Sequence, residues 1–135
     1  MARVQANPMD VLSLVAGADL SSSQYYAVQN DADAREVKVA GTPAAEGTHV
    51  LGVLQNDPTE GQAASIATGG TSRLVMAADC QVGEKIMSSS GKGTPADADQ
   101  KSVIGIAMTA NAEGDGGIIE ILVTPGGVAQ ADESN

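Results

Sequence analysis

The sequence predicts an all-β domain, a small barrel or sandwich of short strands with little helix, and three observations carry that expectation. Short apolar or alternating runs are separated throughout by clusters of Gly, Asn, Asp, Ser and Pro, the residues that turn a chain between strands. No segment carries apolar residues at helical spacing. One strand-turn-strand pattern also occurs twice. Val50-Leu51-Gly52-Val53 leads through Glu60-Gly61 to Ala64-Ser65-Ile66-Ala67, and Val103-Ile104-Gly105-Ile106 leads through Glu113-Gly114 to Ile118-Ile119-Glu120-Ile121. Gly52 and Gly105 are as far apart as Gly61 and Gly114, so the four are read as structural glycines of a duplicated hairpin. Gly52 and Gly105 each interrupt an apolar strand, where glycine permits a bulge or a close backbone approach.

Taken in order, Val11-Leu12-Ser13-Leu14-Val15 reads as the first strand, stopped by Gly17. Strands follow at 25–29 and 36–40, the second alternating as Glu36-Val37-Lys38-Val39, with Asn30-Asp31-Ala32-Asp33 as the turn between them. Further strands are expected at 49–55, 64–68, 73–77, 84–88, 102–109 and 118–123. The separators are 41–47, 57–61, Gly69-Gly70 and 88–100. Residues 1–10, polar and small with Pro8 among them, read as a flexible N-terminal arm; 11–125 form the β-domain, and 126–135 an acidic C-terminal tail. An extended arm ahead of a β domain suits strand addition to a partner's sheet edge, although the same composition fits a frayed terminus.

A chain of 135 residues is one domain by length. It has no Phe or Trp, and Tyr25 and Tyr26 are its only tyrosines. Large aromatics bury roughly 150–250 Å² each, so a core built from Val, Ile, Leu, Met and Ala is thin, and a partner subunit is the usual way to complete it. The net charge of −10, with seven basic residues scattered singly, argues against a nucleic-acid partner, which needs clustered Lys and Arg. No apolar run approaches the ~18 residues of a membrane span, and no secretory leader pattern opens the chain. Cys80 is alone, so no disulfide forms within the chain, and synthesis in a reducing cytoplasm is expected.

Catalytic residues, metal sites and cofactors are not expected. His49 is the single histidine and lies beside an apolar run. Cys80 follows Asp79, whose charge raises a thiol pKa and weakens the nucleophile. Ser90-Gly91-Lys92-Gly93-Thr94 fails as a phosphate loop, since Ile86 stands where the first glycine belongs and Gly93 follows the lysine. Asp31-Ala32-Asp33 and Asp97-Ala98-Asp99 begin like calcium loops, but Arg35 and Lys101 then fall on a ligand position.

The same glycine-marked strands carry a family resemblance. Residues 52–58 (Gly-Val-Leu-Gln-Asn-Asp-Pro), Glu60-Gly61, Val82-Gly83-Glu84, Gly105-Ile106-Ala107-Met108 and Ile119-Glu120-Ile121 occur in an order similar to the capsid cement, or head decoration, proteins of tailed bacteriophages. Ala18-Asp19-Leu20 and Tyr25-Tyr26-Ala27-Val28 extend the likeness upstream, to cover roughly residues 16–124. The resemblance implies a β-tulip-like or small-barrel domain that binds as a homotrimer to the major capsid protein. Its place would be the outer surface of an expanded icosahedral head, at threefold and quasi-threefold positions. It further implies that the arm grips the shell, through Ala2, Arg3, Val4, Gln5, Ala6, Asn7, Pro8 and Met9. A carbohydrate- or cell-surface-binding β domain is the alternative, poorly supplied with aromatics by two tyrosines. A small β-barrel enzyme is disfavoured by the missing acid–base pairs.

Overall fold

Nine strands account for the regular structure of the computed structural model, which describes residues 9–31, 35–40, 50–96 and 103–125, and no helix occurs among them. They are β1 (Met9–Ala16), β2 (Ala27–Asn30), β3 (Glu36–Val39), β4 (Gly52–Leu54), β5 (Ala63–Val75), β6 (Lys85–Ser89), β7 (Lys92–Pro95), β8 (Val103–Ala107) and β9 (Ile118–Val123). They form one sheet in the order β1-β3-β2-β4-β5-β9-β8-β6-β7, and an extra pairing of β1 with β5 rings the first five strands. The expected all-β class is therefore observed, as a partly ringed sheet.

Strand ends shift by up to three residues from the sequence expectation, and two differences go further. Gly69-Gly70 does not separate two strands, because Gly69 pairs with Asp10 and Gly70 with Met9, and β5 runs on for 13 residues. The irregularity is taken up beside them, where Asp10 faces Gly69 and Val11 faces Ala67, so that Thr68 is an extra residue in a bulge. Residues 92–95, expected to be loop, form β7. Ser90 (φ 54°) and Gly91 (φ 92°) make a two-residue turn with both central residues left-handed, the geometry that matches the twist of a hairpin.

The duplication extends over all nine strands. β1, β3, β2, β4 and the first half of β5 make one unit; the second half of β5, β7, β6, β8 and β9 make another, so β5 serves both. The registers correspond pair for pair. Val28↔Gly52 in β2–β4 becomes Ile86↔Gly105 in β6–β8, and Val28↔Val39 becomes Ile86↔Pro95. Leu54↔Ile66 becomes Ala107↔Ile121, and Leu14↔Ala64 becomes Leu74↔Ile119. The parallel pair Ala16↔Val37 becomes the parallel bridge Met76↔Gly93, which closes the second unit onto β5. Individual bonds repeat too: Ala16 N–H donates to Gln62 O (2.8 Å) as Met76 N–H does to Gly117 O (2.7 Å), and Gly17 N–H to Val37 O (2.8 Å) as Ala77 N–H to Gly93 O (2.7 Å).

Each unit has its own aliphatic core. Leu20, Val28, Val37, Leu54 and Ile66 fill the first. Leu74, Met76, Ile86, Ile104, Ile119 and Ile121 fill the second, joined by Ala27, Ala40, Val50 and Val53 from the outer side of the first. The first unit thus closes one side of the second, which is how a chain without Phe or Trp excludes water from a thin core.

Candidate functional site

The candidate chemical groups resolve into structural parts. Cys80 is buried and pairs with Asn111 through the backbone, and its Sγ–H points to Thr109 O at 3.9 Å. Burial pushes the thiol pKa up, a backbone hydrogen bond from Asn111 offsets part of the rise, and the charges of Glu84 and Asp79 add to it, so on balance the thiolate is disfavoured. A hollow of about 400 Å³ opens beside it, bounded by Asp79, Glu84, Pro95 and Asn111. Asn111 is fully engaged in holding the turn before β9: its Nδ2 donates to Ala78 O (2.9 Å) and Gly114 O (3.0 Å), and its Oδ1 accepts from Glu113 N–H (3.1 Å). No cluster of three or more His, Cys, Asp and Glu placed to hold a metal occurs among the described residues.

Ser90-Gly91-Lys92 is the β6–β7 turn. Gly91 N–H is taken by Ser88 Oγ (2.9 Å), and Lys92 Nζ binds Asp115 (2.8 Å), so the loop presents no free cradle for phosphate. Tyr25 and Tyr26 are half-buried at the junction between the units, where the Tyr26 ring lies against Gly91. They are not the exposed stacking platform that a sugar-binding reading needs. His49, Asp33, Asp97, Asp99 and Lys101 lie outside the described residues.

Of the arm residues expected to bind the shell, Ala2, Arg3, Val4, Gln5, Ala6, Asn7 and Pro8 also lie outside the described residues. Met9 and Asp10, assigned to the arm from sequence, belong to β1. The expected equivalence of the repeated glycines holds for Gly52 and Gly105 and fails for Gly61 and Gly114. A Cβ on Gly52 would run into the carbonyl oxygen of Ala67, and one on Gly105 into that of Leu122, so these two are true counterparts. Gly61 (φ 88°) donates to Ala16 O, and its counterpart by the same bond is Gly116 (φ 97°), donating to Met76 O. Gly114 instead donates to Asp79 Oδ1 (2.8 Å) in a second turn that is longer.

What the surface offers is apolar area on two strand groups, missed from sequence because an apolar run does not reveal which of its faces is covered. On β1, Val11 and Val15 are exposed on one face and Leu12 on the other. β3 pairs with only Val15 and Ala16 of β1, leaving the rest of that edge without a partner strand among the described residues. On β8–β9, Ile118, Leu122 and the following Met108 are exposed, with half-buried Ile106 directly opposite Leu122. Exposed apolar side chains of this kind are candidates for interaction sites, and a free strand edge is a template for adding a strand.

The chain matches no protein-family model and no curated protein sequence. Among solved structures it is similar to the N base of head fiber gp8.5 of bacteriophage phi29, with a TM-score of 0.60 over 87% of this chain and 95% of that one. The two are 13% identical in sequence, so the likeness is one of fold, and it spans nearly the whole of both chains.

Proposed function

We propose that this chain is a capsid decoration protein, docking on the outer surface of an expanded phage head at threefold and quasi-threefold positions. The observation that carries the proposal is the fold shared, almost end to end, with the base of a phage head fiber. The ordered, glycine-marked strands that resemble head decoration proteins support it independently. In this reading the major capsid protein is the partner, the chain acts as a homotrimer made in the host cytoplasm, and residues 2–8 reach onto the shell. Binding the expanded shell and not its precursor stabilises the expanded form by mass action. An acidic exterior of net charge −10 keeps such a protein off the genome.

The test is co-sedimentation of the purified chain with expanded heads stripped of accessory proteins, beside unexpanded heads. Saturable retention on expanded heads alone is expected. Recovery of all the chain in the supernatant from both would reject the proposal.

A further inference from the structure

The junction between the two units is a template for a second junction, between copies of the chain. Inside the molecule, the row Ala27–Val53–Ala67 across β2, β4 and β5 is completely buried, and Ala27 and Val53 enter the second unit's core. The counterpart row on the second unit, Lys85–Ile106–Leu122, is open, with Lys85 exposed and Leu122 39% exposed. The second unit therefore presents uncovered the face that the first unit has covered.

The contacts across the junction say what fits there. Gln55 Nε2 donates to Ser72 Oγ (2.8 Å) across it, holding Ser72 buried. By the strand registers, the counterpart of Gln55 is Met108 and that of Ser72 is Leu12. Both are apolar and both are exposed, 46% and 39%. A polar pair inside the chain has become an apolar pair on its two ends. Gly91 touches Tyr26 across the same junction; their counterparts are Arg35 and Glu84, which carry opposite charges and are exposed. Two independent positions thus match in chemistry, one by apolar contact and one by charge.

We infer that the chain self-associates head to tail, Met108 and Glu84 of one copy meeting Leu12 and Arg35 of the next, in repetition of its internal junction. The partner is a second copy of this chain, and the contact is heterologous, so it closes into a ring where the rotation allows. The inference does not rest on the capsid reading, and it is tested without shells.

Light scattering of the purified chain should show mass rising with concentration. Leu12→Lys and Met108→Lys should each be monomeric alone, since each blocks one end, while a mixture of the two should form a species of two chains and no more. Glu84→Arg should weaken association, and Glu84→Arg combined with Arg35→Glu should restore it. Circular dichroism melts of each variant beside the wild type establish folding, and Leu12→Glu with Met108→Glu replace the lysine pair should either misfold. A wild type that stays monomeric up to millimolar concentration would overturn the inference. So would an association that only one of the two ends affects, or a mixture that stays monomeric, because either outcome denies a head-to-tail contact.

Discussion

Tyr25 holds the left-handed backbone that Gly83 holds one unit later, with φ of 67° and 90°. Tyr25 N–H donates to Leu54 O and Gly83 N–H to Ala107 O, both at 2.8 Å, so the two residues start β2 and β6 by the same bond. The unit demands a left-handed residue here, and the first copy meets the demand with a tyrosine at some cost in strain. Nothing lies within 4 Å of a Cβ built on Gly83, so a substitution there reads the backbone term alone. Gly83→Ala should lower stability by about 1 kcal/mol, and Gly83→Asn by less, because Asn tolerates the left-handed region. Urea titrations of the two variants check this; an alanine variant as stable as the wild type would contradict it.

Gly52 and Gly105 face strand backbone, which cannot swing aside as a side chain can. Gly52→Ala and Gly105→Ala should each cost roughly 1–3 kcal/mol through overpacking, and the two losses should be similar because the two sites are copies. Thermal melts of both, analysed with their enthalpies, give the comparison.

The sequence made some of this legible and hid the rest for identifiable reasons. The expected strand at 118–123 coincides with β9, and those at 11–15 and 36–40 nearly coincide with β1 and β3, because apolar residues at period two report a half-buried strand directly. The repeat was visible only in β4–β5 and β8–β9, where Gly52 and Gly105 are obliged to be glycine. Elsewhere the copies share hydrogen bonds and not side chains, as with Tyr25 for Gly83 and Val39 for Pro95. β5 looked broken because Gly69-Gly70 is a turn signal, yet both glycines are paired with β1. β7 looked like loop because Lys92-Gly93-Thr94-Pro95 has no large apolar residue. Gly93 is small since Met76, Leu74 and Ile86 lie within 3 Å of where its Cβ would stand. The exposed apolar residues of β1 and β9 carry a strand signal in the sequence, but what covers a strand's outer face depends on tertiary neighbours.

Cys80 should be inert in the folded protein. At pH 7.5 a chromogenic disulfide reagent should label it only as fast as the chain opens, and at once in denaturant. Its raised pKa also fixes a sign. The folded form favours the neutral thiol, so its contribution to stability is full below the unfolded thiol value of 9.0 and is lost as pH climbs through the higher folded value. Wild type should therefore lose more stability between pH 8 and pH 10.5 than Cys80→Ala does, measured by melts at both.

Deleting residues 2–8 should leave the melting temperature unchanged, because β1 begins its pairing at Met9. In the proposed function the same deletion should reduce retention on expanded heads at least tenfold. Co-sedimentation of the truncated chain, with a melt run alongside, separates the two effects. Undiminished retention would place attachment on the β-domain.

Attachment to the outside of an expanded phage head, as proposed, is open to direct observation in a cryo-electron microscopy reconstruction. Stripped, expanded heads incubated with saturating chain should show added density of this nine-stranded fold on the outer surface at threefold and quasi-threefold positions. Heads whose threefold positions stay bare, or that carry the chain on their inner surface, would contradict it.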